Sequence, residues 1–155
     1  MSGKSGEHEE NAAEDHRNSG VQAAFSGAVR RVISWGFGFA LAVTAIFALF
    51  SPSLIDLMAA NPDVRHGARD YLPFVVVSPL LAVFAFGFDG VYIGATWARE
   101  MRNLMMLSLL IFLAAWLSLR PFGNAGLWGA LLAHYAARGG LQALRYPAML
   151  RASFR

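Results

Sequence analysis

The chain contains no cysteine among its 155 residues, which excludes disulfides, thiolate metal sites and a cysteine nucleophile, and leaves thiol chemistry silent about compartment. Charge is also scarce. Asp, Glu, Lys and Arg make up 15% of the sequence, where a soluble domain carries about a quarter, and the mean hydropathy is +0.44. No Ser/His/Asp arrangement, paired-carboxylate site or metal-ligand cluster occurs at useful spacing, so the chain is not expected to be an enzyme or to need a cofactor. The first twenty residues hold no apolar run, so they are expected to be neither a signal peptide nor an anchor. The net charge of +3 does not mark a nucleic-acid surface, because Lys and Arg fall in short clusters beside apolar runs, where topology determinants stand.

Apolar residues fill most of what remains, 56% of the chain. They form runs at about 32–50, 71–97, 103–119 and 124–144, each near the length of roughly 20 residues that a bilayer crossing requires. The expected fold class is therefore all-α, a polytopic membrane protein with four transmembrane helices, and the lipid bilayer is its first partner. Residues 1–20 are polar, with Glu7, Glu9, Glu10, Glu14 and Asp15 crowded around His8 and His16, and are expected to form a disordered tail. Residues 21–31 place Val21, Phe25, Ala28 and Val29 on one helical side before Arg30 and Arg31, as an interfacial amphipathic lead. The transmembrane region is expected over 32–150 and a cytoplasmic tail over 151–155.

Local signals punctuate the spans. Ser51 and Pro52 are expected to close the first, and Asn61 followed by Pro62 matches an N-cap with Pro at the first helical position. Pro73 and Pro79 lie inside the second. One set of flanks carries Lys4, Arg17, Arg30, Arg31, Arg99, Arg102, Arg145, Arg151 and Arg155, and the other only Arg65, Arg69 and Arg120. The richer side is cytoplasmic by the positive-inside tendency, which puts both termini in the cytoplasm of a multi-pass inner-membrane protein.

Asp89 is the sharpest candidate for chemistry. It lies roughly 12 Å along a helix from the boundary marked by Trp97, where an ionised carboxylate costs on the order of 3 kcal/mol. It must be paired, protonated or facing water, and it reads either as a proton- or cation-coupling group or as a structural hydrogen-bonder. His134 and Arg138 share a face of the fourth span and are candidates to meet a substrate or Asp89. Gly87, Gly90 and Gly94 fall on one helical face and are expected to let helices approach closely. Phe74, Phe84, Phe86 and Phe88 are candidates either to line a drug pocket or to pack among helices and lipid.

The run Asp89-Gly90-Val91-Tyr92-Ile93-Gly94-Ala95-Thr96, then Arg99-Glu100-Met101-Arg102-Asn103, then Gly123-Asn124 with Gly126-Leu127-Trp128, resembles the C-terminal part of the multidrug and toxic compound extrusion (MATE) family in its DinF-like branch. The similarity covers roughly residues 21 to 150. It implies the last four of twelve spans arranged in two six-helix lobes, and export of cationic or amphipathic drugs against an inward proton or sodium gradient. The implied partners are the missing N-terminal spans or a split partner chain. The alternatives left open are a small non-transporting scaffold or regulatory protein, or an inactive truncated product. Leu81 and its neighbours offer no carboxylate, so the resemblance carries over no cation site.

Overall fold

The computed structural model describes the backbone of residues 3–153 and the side chains of residues 14–153. Within them the chain is all-helical: α1 (Gly3–Met58), α2 (Pro62–Gly94), α3 (Ala98–Leu119), a 3-10 turn (Arg120–Phe122) and α4 (Gly123–Ser153). In place of four separate apolar helices, three continuous stretches are long and apolar enough to cross a membrane: Glu14–Met58, Pro62–Gly94 and Ala98–Ser153. The third doubles back at the 3-10 turn, where Gly123 has a φ of +60° that favours a residue without a side chain. Gly126 then packs against the Leu119 carbonyl, where any Cβ would collide.

The helix α1 starts at Gly3. Once a stable helix exists downstream, each added residue costs one ordered backbone unit against one hydrogen bond, and Glu14 supports the turn through a 4.0 Å pair with Arg17. The side chains of Glu7, His8, Glu9 and Glu10 lie outside the described residues. One expectation about α1 needs correction: the helix passes through Ser51 and Pro52 and ends two turns later at Met58. Pro52 removes one donor but leaves the flanking turns intact. The amphipathic lead at 21–31 is thus continuous with the first span.

Both ends of α2 follow local rules. Asn61 Oδ1 accepts from the Asp63 amide at 2.9 Å, with Pro62 at the first helical position. At the other end the Trp97 amide bonds the Tyr92 carbonyl at 2.9 Å and the Thr96 amide bonds the Ile93 carbonyl at 3.0 Å. That is the Schellman pattern, with Thr96 at φ +60° in the place usually taken by glycine. The rings of Trp97 and Tyr92, 5.4 Å apart, supply its hydrophobic contact.

The helices form a row in the order α1, α2, α4, α3. The Asp56–Arg69 pair, the Phe37–Phe84 rings and the Phe25–Trp97 rings set α1 antiparallel to α2. Likewise Glu100 with Arg145, and Trp97 with Ser153, hold α3 antiparallel to α4. Between α2 and α4, Phe74 meets Trp128 near one end and Phe88 meets Tyr146 near the other, so these two run parallel. Only 6% of each apolar window is buried within the chain. Nearly all of that surface therefore faces outward, toward lipid or further helices.

Candidate functional site between α2 and α4

The site exists because α2 and α4 approach closely one turn before it. A Cβ on Gly139 would sit 3.1 Å from both the Ala85 amide nitrogen and Phe84 Cβ, and Ala85 is fully buried. Small residues at a helix contact allow such an approach. One turn beyond Ala85 on α2 comes Asp89, and Arg138 and Gln142 flank Gly139 on α4. The carboxylate is thereby set against two donors that share a face at i, i+4 spacing.

Arg138 Nη2 donates to Asp89 Oδ2 at 2.6 Å, and Gln142 Nε2 donates to Oδ1 at 2.8 Å. The two ion-pair side chains are 17% and 11% exposed, and Gln142 is fully buried. The Tyr92 hydroxyl donates to the Gln142 backbone carbonyl at 2.9 Å and ties α2 to α4 a second time. The Arg138 guanidinium also lies 5.8 Å from the centre of the Phe86 ring. Two polar atoms of the cluster, Arg138 Nε and Gln142 Oε1, are buried without a hydrogen-bond partner. A charge-assisted pair in an apolar setting is strong while both partners are present, and removing either charge leaves the other uncompensated. The arrangement therefore ties α2 to α4 through the Asp89 carboxylate.

The structure joins two of the three candidate polar residues and leaves the third apart. His134 turns toward α3, where Nδ1 lies 3.2 Å from the Ser108 carbonyl and the ring meets Phe112 edge-on. Although His134 and Arg138 are one turn apart, α4 stands between two neighbours and each residue serves a different one. Gln142 and Tyr92 complete the cluster and were not singled out from the sequence. The i, i+4 spacing of Gln142 from Arg138 was the available clue.

The glycine expectation divides as well. Gly87 packs against Ile33, whose Cδ1 would lie 2.7 Å from an added Cβ, whereas Gly90 and Gly94 have no atom within 4 Å of that position. Close approach is instead made at Gly139, Gly126 and Gly36, the last against Val83 at 3.1 Å. The four phenylalanines do not share one pocket: Phe74 pairs with Trp128, Phe84 with Phe37, Phe86 with Tyr135 and Phe88 with Tyr146. Among the described residues, no group of three or more His, Cys, Asp or Glu side chains gathers where it could hold a metal ion.

Residues 20–117 match the family model described as MatE. The chain belongs to the MatE family. It is also similar to DNA damage-inducible protein F of Escherichia coli (strain K12), at 35% identity over 100 residues, which is 64% of this chain and 22% of that protein. The chain thus spans about a fifth of the length of this curated relative. No solved structure matches it. The MatE match includes Asp89 and ends in α3, so Arg138 and Gln142 lie beyond the matched residues.

Proposed function

We propose that these residues form part of a MATE-type efflux antiporter, exporting cationic or amphipathic compounds in exchange for protons or sodium, with Asp89 and Arg138 controlling how α2 and α4 move against each other. Family membership supports the transport class. The observation that carries the site is the buried 2.6 Å pair between two parallel helices in otherwise apolar surroundings. In this reading the chain crosses the membrane four times, with α3 and α4 as separate spans and both termini in the cytoplasm. Alternating access works between two groups of helices, so transport needs helices beyond these, in the same polypeptide or in a partner.

The test uses Asp89→Asn and Asp89→Leu in the complete transporter, with gradient-driven dye export as the readout. If Asp89 couples ion movement to export, Asp89→Asn still inserts and binds drug but loses driven transport. If it only joins helices, Asp89→Asn retains transport and Asp89→Leu, which leaves Gln142 and Arg138 unsatisfied, loses it. Normal export by both variants removes either role. Reporter fusions at residue 20 and after Arg155 should report cytoplasm and one near Asp63 the opposite side. The second reading is a non-transporting scaffold or regulator. Normal drug resistance in cells lacking this chain but holding the remaining helices would support it.

A further inference from the structure

At the end of the bundle where α1 enters its apolar run, two concavities adjoin. The larger one, about 400 Å³, is bounded by Ile33 and Phe37 of α1, Phe84 and Phe88 of α2, and Tyr146 of α4. The smaller one, about 350 Å³, is bounded by Ala23, Ser26, Gly27 and Arg30. Ser26 and Arg30 line both, so the two share a wall. Arg30 and Phe37 are seven residues apart on one helix, about 10 Å along its axis, comparable with the depth over which a bilayer passes from headgroup to acyl chain. Polar lining lies at the headgroup level and aromatic lining beneath it.

We propose that this crevice is a binding site for one anionic phospholipid, with its phosphate on Arg30 and an acyl chain along Phe37, Phe84 and Phe88. Arg30 is exposed and makes no ion pair among the described residues, so its charge is available. Among the described residues, no Asp or Glu lines either concavity. A zwitterionic headgroup therefore finds a cation for its phosphate and no carboxylate for its ammonium. Basic clefts between spans are a recurrent mode of acidic-lipid recognition.

The experiment takes the full chain through native mass spectrometry after equilibration with equimolar phosphatidylglycerol and phosphatidylcholine. One lipid should be retained, phosphatidylglycerol over phosphatidylcholine by about fivefold, the preference expected from one well-placed cation. Arg30→Gln should bring the ratio to about one. Gly27→Leu tests the crevice with Arg30 in place: nothing lies within 4 Å of its Cβ position, so the side chain fills the polar concavity without disturbing the helices, and the preference should again vanish. Arg102→Gln removes an exposed arginine that lines neither concavity and should leave the ratio unchanged. Equal retention of both lipids by the unaltered chain, or an equal loss from Arg102→Gln and Arg30→Gln, would overturn the proposal, the latter by showing only diffuse attraction.

Discussion

Two ion pairs of nearly equal length join helices in this chain, and their surroundings make them different objects. Arg138 meets Asp89 at 2.6 Å with side chains 17% and 11% exposed; Arg69 meets Asp56 at 2.7 Å with side chains 45% and 41% exposed. The first links residues 49 apart on parallel helices, and the second links residues 13 apart across the short connection between α1 and α2. At the exposed pair, water and salt stand ready to replace either partner, so its net worth is small. At the buried pair, the alternative to pairing is an uncompensated charge among apolar side chains. Distance alone would rank the two together; burial separates them.

The largest effect expected from that separation is in Arg138→Ala, which leaves Asp89 with Gln142 alone and should cost about 3 kcal/mol in reversible unfolding of the chain in detergent. Loss of less than about 1 kcal/mol would place the pair in the same class as the exposed one. Gln142→Leu comes next. It keeps the volume but strips Asp89 Oδ1 of its donor, and a loss of about 1 to 2 kcal/mol is expected by the same measurement. The smallest effect belongs to Asp56→Ala, at about 0.5 kcal/mol, which should disappear when the unfolding is repeated in 1 M salt. A salt-resistant loss there would mean that the outer pair is more enclosed than its exposure indicates.

The inner side of this contrast was legible in the sequence and the outer pair was not, and the unread parts have physical reasons. Asp89 and Arg138 announced themselves because a charge at bilayer depth has few permitted fates, and pairing between them was among the readings the sequence allowed. His134 was grouped with them by spacing, which fixes a face of one helix and says nothing about which neighbour that face meets. The central place of α4 sends His134 to α3 and Arg138 to α2. Gln142 was not singled out and Tyr92 entered only as part of the family-like run, because uncharged polar residues in helices are common, and only the approach at Ala85 and Gly139 shows them to be buried. Gly90 and Gly94 have the same small-residue spacing as true contact sites, yet no atom of another helix lies within 4 Å of where their Cβ would sit, since spacing reveals permission for contact and the helix order decides where contact occurs. The Asn61–Pro62 start of α2 was read correctly because capping is local chemistry. The passage of α1 through Pro52 was not, because it depends on the length of helix already formed on both sides.

The central claim is that Asp89 and Arg138 stabilise each other across the α2–α4 seam. It is tested most directly by a double-mutant cycle of Asp89→Asn, Arg138→Gln and the two together, followed by reversible unfolding. A coupling of about 2 kcal/mol is expected, with the double variant less destabilised than the sum of the single ones. Additivity within about 0.5 kcal/mol would contradict the account and leave Asp89 and Arg138 as neighbours that contribute independently.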